Sequence, residues 1–353
     1  MTKILWATLL PKHADRGGGS TYSAGVRRLL EREWNGQVEE LHVLSLDRRQ
    51  RKMKLLVGLL GSLISRHAAK LLYCHSTSAI RHAQSSDADI LVCDHVETAY
   101  LMSHFRGRTC LILHNDEGAL MQSRGSQGSR LKRWFLSREG RRISAFEAWA
   151  LRRADIAISL SPDDIAAFNR VVPDKAIRHV PPLFDYVPAP AQLIPHLPRL
   201  GFVGNLDWWP NAEALKWYLT EIHPHHTLPI YVAGAGDTTF LAGLDRVHVL
   251  GFVPDVREIW RTFDVMIAPI LSGSGVSIKT AEALYNGKPV IATPMGARGL
   301  PSFKDGIGLN ICRSAMEWIE AIKELAAGES PMPPDDRTRS LFAAPRDAIN
   351  PVS

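Results

Sequence analysis

Short apolar runs alternate with helical patterns along the chain, and the alternation restarts once. In the first half, Lys3–Leu9, Leu41–Leu46, Ala88–Asp94, Thr109–His114 and Ala154–Leu160 are apolar runs of strand length. Runs of this kind predict strands buried on both faces. Between them, segments such as Ser23–Glu33 and Arg142–Arg153 carry apolar residues at helical spacing. The second half predicts strands at Arg199–Val203, Pro229–Ala233, Val247–Leu250, Val265–Pro269, Pro289–Thr293 and Gly308–Cys312. It predicts helices at Ala212–Ile222, Val256–Phe263, Lys279–Asn286 and Ala315–Ala327. Strands alternating with helices argue for parallel sheets covered by helices.

The halves are separated by a change of character. Seven prolines fall in the 26 residues from Pro173 to Pro198. Proline removes a backbone donor, so Pro188–Pro198 suits neither a helix interior nor a central strand. The expected organisation is an N-terminal α/β domain at 1–185, a linker at 186–198, a C-terminal α/β domain at 199–329 and a polar tail at 330–353. The length of 353 residues fits two domains. Two such domains would face each other across a cleft lined by the C-terminal ends of their strands, where ligands of open α/β sheets bind.

One helical pattern carries unusual charge. Leu55, Leu56, Leu59, Leu60, Leu63 and Ile64 form an apolar stripe, with Gly58, Gly61, Ser62 and Ser65 between them. Arg48, Arg49, Arg51, Lys52 and Lys54 lead into it, and eight basic residues but no acidic one lie between Arg48 and Ser86. A core-facing helix with a solvated basic entry is the commoner form of such a pattern. The competing form is an interfacial helix over 48–70 that rests on an anionic membrane surface. The formal net charge is +6, and the excess of basic residues lies before Asp185. No nucleic-acid-binding motif accompanies it, so nucleic acid is not an expected partner. Four scattered cysteines without a CxxC pair argue against a zinc site or a disulfide framework. They fit a reducing, cytoplasmic setting. The N-terminus lacks the apolar core and cleavage site of a signal peptide.

The richest chemistry lies in APILSGSGVSIKTAEALYNGKPVIATP, Ala268–Pro294. A strand ends at Pro269, and a loop containing Gly273, Ser274, Gly275 and Val276 leads into a helix. Strand, glycine loop and helix N-terminus together form a phosphate cradle, because first-turn N–H groups and the helix dipole favour an anion. Lys279 adds a positive charge in the first turn. Glu282, three residues on, shares its helix face and can accept hydrogen bonds from ribose hydroxyls. Gly234-Ala235-Gly236 opens like a dinucleotide fingerprint, but Thr239 stands at its third position. Asp87-Ala88-Asp89 spells a metal-binding DxD but directly precedes the apolar run ILVC, which suits a strand start. Trp208 and Trp209 suit either sugar stacking or packing.

GFVGNLDWWPN (Gly201–Asn211), VAGAG (Val232–Gly236), GFVPDV (Gly251–Val256), GSGVSIKTAEAL (Gly273–Leu284) and GKPVIAT (Gly287–Thr293) together resemble one known domain. It is the donor-binding domain of retaining GT-B glycosyltransferases, family 4 (group 1). The first half matches more loosely, through Gly17-Gly18-Gly19, His114-Asn115-Asp116-Glu117 and ADIAISLSPDDI (Ala154–Ile165). The resemblance implies the GT-B fold, two Rossmann-like α/β domains facing each other across a cleft. It implies transfer of a hexose, with retention, from a nucleoside-diphosphate sugar to a hydroxyl of a glycan or lipid-linked glycan, in polysaccharide or glycolipid synthesis. No metal and no cofactor are implied.

Residue roles follow from the same resemblance. Glu282 matches the second glutamate of the family's Glu-x7-Glu motif and would hold the ribose, while Ser274 stands at the first glutamate's place. Lys279 would neutralise the diphosphate, with the amides near Gly275 and Val276. The family's basic pair after the first strand of this domain is missing; Asn205, Asp207, Trp208 and Asn211 occupy that loop. Gly204, Asn205 and Gly234 would face the donor, and Phe252 and Val253 would meet the base. In the first domain, His114 falls where the family places a histidine at the reaction centre, and Gly18 and Gly19 would let backbone approach the diphosphate. Glu147 matches an acidic position on the acceptor side, with a solvated helix residue as the ordinary alternative. Two other classes share the fold: a non-hydrolysing sugar-nucleotide epimerase and a non-catalytic nucleotide-sugar-binding partner protein.

Overall fold

The computed structural model describes all residues except 10–17, 45–47, 125–128, 185, 187, 189–196, 274, 301–307, 330–333, 335–341 and 343–353. The chain forms two compact units that divide between Pro181 and Pro182. The linker and tail expected at 186–198 and 330–353 lie largely outside the described residues.

The first unit runs β1 (Thr2–Thr8), α1 (Gly18–Glu33), β2 (Gly36–His42), α2 (Arg48–Ile64), α3 (Ala69–Cys74), α4 (Thr77–Ser85) and β3 (Ile90–Cys93). A 3₁₀ segment, Val96–His104, precedes β4 (Arg108–Leu113), α5 (Glu117–Ser123), α6 (Arg130–Arg153), β5 (Ile156–Ser159), α7 (Pro162–Val171) and β6 (Arg178–His179). Its parallel sheet has the order β2-β1-β3-β4-β5-β6. β3 and β5 are buried at every residue, which is why they read as unbroken apolar runs. β2 does not lie at Leu41–Leu46. It starts at Gly36 and reads GQVEELH, because it is an edge strand with no fully buried position. An edge strand of that kind carries polar residues that no apolar-run search finds.

A second departure concerns the leucine stripe. The six apolar residues of α2 face solvent, between 39% and 92% exposed, while Gly58 and Ser62 are buried. The core-facing reading of this helix is therefore reversed: the small residues make the seam. A Cβ on Gly58 would stand 2.9 Å from the carbonyl oxygen of Ala69, so only a hydrogen there lets α2 lie against α3.

The second unit runs β7 (Leu200–Val203), α8 (Trp209–Glu221), β8 (Ile230–Ala233), β9 (Val247–Gly251), α9 (Val256–Thr262) and β10 (Val265–Ala268). It continues with α10 (Ile278–Tyr285), β11 (Val290–Ala292), β12 (Leu309–Ile311) and α11 (Ala315–Ala326). The sheet is parallel, in the order β12-β11-β10-β7-β8-β9. This is the Rossmann order, in which the winding reverses between β7 and β10. One core cluster joins the sheet to Leu215 and Tyr218 of α8 and Trp318, Ile322 and Leu325 of α11. Another joins it to Trp260 of α9 and Ala281 and Leu284 of α10. Helices thus cover the sheet with two separate cores, and each fully buried large side chain contributes about 1.5–3 kcal/mol. Every strand and helix expected in this half is present within a few residues.

Candidate active site

In the second unit the winding reversal brings two loops side by side, the one after β7 and the one after β10. The first is drawn toward β8 and β9. Gly204 N–H donates to the Ala233 carbonyl at 2.9 Å, and Gly234 N–H donates to the Gly251 carbonyl at 2.8 Å. Gly234 has φ +145°, and a Cβ there would lie 2.0 Å from the Gly204 carbonyl oxygen. Only glycine permits that approach. Gly204, Asn205, Gly234, Phe252 and Val253 therefore all lie on loops at the C-terminal edge of one sheet. Phe252 is half exposed, as an aromatic poised for a ligand or left at a surface would be.

The loop after β10 contains Gly273, at φ +150° with open space where a Cβ would be, then Gly275 and Val276. Ser274 lies outside the described residues. Helix α10 follows. The side chain of its N-cap residue, Ser277, accepts from no backbone N–H of the first turn; its hydroxyl accepts from the Thr280 hydroxyl at 2.8 Å instead. The helix start is therefore not closed by its own cap and can meet an anion.

Lys279 sits in this first turn. Its ammonium donates to Asn211 Oδ1 at 2.7 Å and lies 4.4 Å from the Phe202 ring centroid. Among the described residues no carboxylate pairs with it. Burial without a counter-charge brings its pKa down to about 7. Asn211 also donates from Nδ2 to the Asn205 carbonyl at 2.9 Å, and Ser272 donates to Glu213 at 2.8 Å. These bridges tie the β10 loop and α10 to the start of α8.

Glu282 lies one turn further and is buried. Burial pushes its pKa up to about 7, partly opposed by the Tyr186 hydroxyl, which donates to Oε1 at 3.0 Å. Tyr186 in turn accepts from Asn286 Nδ2 at 2.7 Å, and its carbonyl accepts from the Tyr285 hydroxyl at 2.6 Å. The segment around Tyr186 therefore grips the helix that carries Lys279 and Glu282. Sequence reasoning missed Tyr186, since nothing local marks a partner 96 residues away.

In the first unit the winding reverses between β1 and β3, and the polar residues there form a closed cluster. Asp94, just past β3, is fully buried. It accepts from Thr8 Oγ1 at 2.9 Å, Ser23 Oγ at 2.8 Å and His114 Nε2 at 3.0 Å. Burial pulls the Asp94 pKa up, but His95 and the hydrogen bonds from His114 and Ser23 outweigh it, so the carboxylate stays ionised below the ordinary range. His114, just past β4, is thereby fixed with its Nε2 proton on Asp94. His95 stacks on it at 4.1 Å with an interplanar angle of 2°, and burial lowers the His95 pKa to about 3. Asp94, His95 and His114 offer ligand atoms within 4.8 Å of one another. Parallel rings, however, do not aim their lone pairs at one point, and His114 Nε2 is already committed to Asp94. The cluster is an oriented Asp–His pair rather than a metal cage. Sequence reasoning named His114 and missed Asp94, although Asp94 stands at the C-terminus of β3, beside the winding reversal.

Neighbouring charges are also paired. Lys70 bridges Glu97 and Glu117, and these carboxylates raise its pKa against the effect of burial. Glu147 is not a solvated helix residue. It is buried on α6 and accepts from the backbone N–H groups of Glu117 at 2.7 Å and Gly118 at 3.3 Å, closing the start of α5. Gly18 and Gly19 open helix α1, and Gly17 lies outside the described residues. Asp87 pairs with Lys3, and Asp89 accepts from the Lys3 backbone N–H at 2.8 Å, so this pair fastens β1 to β3. Trp208 is exposed and Trp209 half-buried.

Two Rossmann-like α/β units in one chain, each with its polar residues at the winding reversal, define a fold of the GT-B type. Residues 197–327 match the family model described as Glycosyl transferases group 1. The chain is 27% identical over 188 residues to the lipopolysaccharide core biosynthesis mannosyltransferase LpcC of Rhizobium leguminosarum bv. viciae, covering 47% of this chain and 53% of that protein. The chain spans about half or less of the curated relatives it matches. Among solved structures, Anabaena Alr3699/HepE in complex with UDP and glucose superposes with a TM-score of 0.58 at 15% identity, covering 97% of this chain and 94% of that one. The lipopolysaccharide outer core galactosyltransferase WaaB superposes with a TM-score of 0.56 at 12% identity, covering 97% and 94%. At such identities the likeness establishes the fold. The match over 197–327 likens the second unit, within that fold, to a group 1 glycosyl transferase domain.

Proposed function

We propose that the protein transfers a hexose from a nucleoside-diphosphate sugar to a hydroxyl of a glycan or lipid-linked glycan. The observation that carries this reading is Lys279, a lysine with no carboxylate partner among the described residues, in the first turn of a helix without a side-chain N-cap. A diphosphate supplies the missing counter-charge. As the bond from sugar to diphosphate breaks, negative charge grows on the leaving oxygen. Lys279 and the amides near Gly275 and Val276 are placed to stabilise it. Glu282 would accept from the ribose hydroxyls. On this reading the chemistry needs no metal, the outcome is retention, and His114, oriented by Asp94, handles the acceptor side. A cytoplasmic enzyme of surface polysaccharide or lipopolysaccharide synthesis fits the roles that LpcC and WaaB are named for.

The test is calorimetric and thermal-shift titration with UDP, GDP, ADP, TDP and CMP. UDP is the first probe, because HepE was solved with UDP and with UDP-glucose. The expected result is a diphosphate preference that Glu282→Ala weakens by about tenfold or more, the scale of a lost hydrogen bond to a charged group. Failure of all five nucleotides to bind overturns the reading, and full affinity in Glu282→Ala overturns the assignment of the ribose contact. Turnover that is unchanged by a chelator supports the metal-free reading; loss of turnover on chelation, restored by a divalent cation, removes it.

A further inference from the structure

Helix α2 is built inside out. A surface helix ordinarily buries its leucines and shows its polar face to water. Here Leu55, Leu56, Leu59, Leu60, Leu63 and Ile64 point outward, and a seam of small residues points inward. Gly58 lies against the Ala69 carbonyl and Gly61 against Leu72. The arrangement is fastened at its C-terminal end. Arg142 Nη1 donates to the Ser62 carbonyl at 2.7 Å and Nη2 to the Ser65 carbonyl at 2.5 Å, while Arg138 donates to Ser62 at 2.9 Å. Both guanidiniums come from α6, so the exposed stripe is held against that helix rather than hanging free.

The same surface continues onto α6. Leu131 is 74% exposed and Trp134 57% exposed, and the Arg138 guanidinium that reaches α2 lies 5.8 Å from the Trp134 ring centroid. Basic residues rim both parts: exposed Arg49 and Lys52 at the start of α2, and exposed Arg130, Lys132 and Arg133 at the start of α6. Neither the stretch from Arg48 to Ser86 nor that from Gly118 to Arg138 contains an acidic residue. A contiguous row of exposed large apolar residues rimmed by basic ones is the form of a surface that meets a partner.

We propose that α2 and the start of α6 form a docking surface for an anionic lipid bilayer, with the leucines and Trp134 at the acyl boundary and the basic rim among the headgroups. Charge selects this occupant. A second copy of the chain, packed face to face, would bring two basic rims together. A bilayer with anionic headgroups satisfies the stripe and the rim at once. No helix among the described residues is long and apolar enough to cross a membrane, so α2 would lie on the surface. The inference does not depend on the glycosyltransferase reading.

The experiment is sedimentation of the full chain with phosphatidylcholine vesicles and with vesicles containing about one third phosphatidylglycerol. Binding to the anionic vesicles alone is expected. Arg49→Glu with Lys52→Glu should weaken it at least tenfold, since each basic residue near such a surface is worth roughly fivefold. Leu56→Ser with Leu60→Ser should abolish it. Those leucines are exposed, so unchanged circular dichroism and nucleotide binding in the variant show that the fold is kept. Three outcomes overturn the proposal: no anionic-vesicle binding, equal binding to neutral vesicles, or binding that survives the leucine variant. A dimer in light scattering that the leucine variant dissolves, without vesicle binding, assigns the surface to a second copy instead.

Discussion

The two sheets are wound on related plans, yet the polar residues at their winding reversals hold charge in opposite ways. In the first unit, Asp94 is closed in by Thr8, Ser23 and His114, and its charge is satisfied by hydrogen bonds within the unit. In the second, the groups around Lys279 and Glu282 are neutral: Asn211 and the Phe202 ring for the lysine, the Tyr186 hydroxyl and the nearby Trp260 indole for the glutamate. Burial pushes both toward a pKa of about 7 from opposite sides. A buried charge that is satisfied internally orients its neighbours. One that is left without a counter-charge costs stability and is repaid when a ligand arrives.

The largest effect is expected where charge is closed. Asp94→Ala removes the acceptor of three buried donors and releases His114. Breaking a buried charged cluster of this kind typically costs about 3–5 kcal/mol. Urea unfolding followed by circular dichroism should show that loss, while nucleotide affinity in the folded fraction stays at the wild-type value. A loss below about 1 kcal/mol would mean that Asp94 is not structurally closed, and the contrast between the units would fall.

Lys279→Ala should do the reverse. It removes a half-buried cation that has no carboxylate partner among the described residues, so stability should hold or rise. Affinity for UDP should fall about 10- to 100-fold, the range for one charge-assisted contact. Stability and binding thus separate: Asp94 moves the first, Lys279 the second. If Lys279→Ala lowers stability and leaves affinity intact, the lysine belongs to the fold and not to the ligand.

Much of this contrast was legible in the sequence, unevenly. The second unit's inner strands β7, β8, β10 and β11 are buried almost throughout and announce themselves as apolar runs, and Lys279 and Glu282 follow a glycine loop in a recognisable order. β2 was misplaced because an edge strand needs no apolar run. The period of the α2 stripe was plain, but period alone does not say which face turns inward. Gly58, Gly61 and Ser62 repeat as regularly as the leucines, and only the closeness of α3 decides between them. Asp94 and Tyr186 stayed hidden for a different reason. Their meaning lies in partners 20 and 96 residues away, and a hydrogen bond of that range leaves no local pattern.

pH sharpens the comparison further. Burial lowers Lys279 to about 7 from 10.5, so the folded chain binds fewer protons than the unfolded chain between those values. The cost of burying it is fully present below pH 7 and is relieved as pH rises toward 10.5. Glu282 behaves oppositely: raised to about 7 from 4.5, it costs stability above pH 7, and the cost fades as pH falls to 4.5. A bound diphosphate keeps Lys279 charged, so binding above pH 7 takes up a proton. Affinity should fall with rising pH, by at most about tenfold per unit for one proton. Calorimetry at pH 8 in buffers of different ionisation heat should register that uptake. Lys279→Arg should abolish both uptake and slope, since a guanidinium stays charged throughout.

Tyr186→Phe is the finest of these changes, because it removes one oxygen and keeps the ring against Tyr285 and Phe184. Glu282 loses a donor that favours its ionised form, so its pKa should rise further. Asn286 Nδ2 loses an acceptor but keeps the Glu282 carbonyl at 2.7 Å. The stability loss should be about 0.5–1.5 kcal/mol, the net worth of one neutral hydrogen bond. If Tyr186 only aims the carboxylate, UDP affinity at neutral pH falls by roughly two- to fivefold, well short of Glu282→Ala. That deficit relative to the wild type should shrink as pH rises and Glu282 regains its charge. An affinity loss as large as that of Glu282→Ala, and flat with pH, would place the Tyr186 hydroxyl on the ligand itself. The segment before β7 would then be part of the nucleotide site rather than its support.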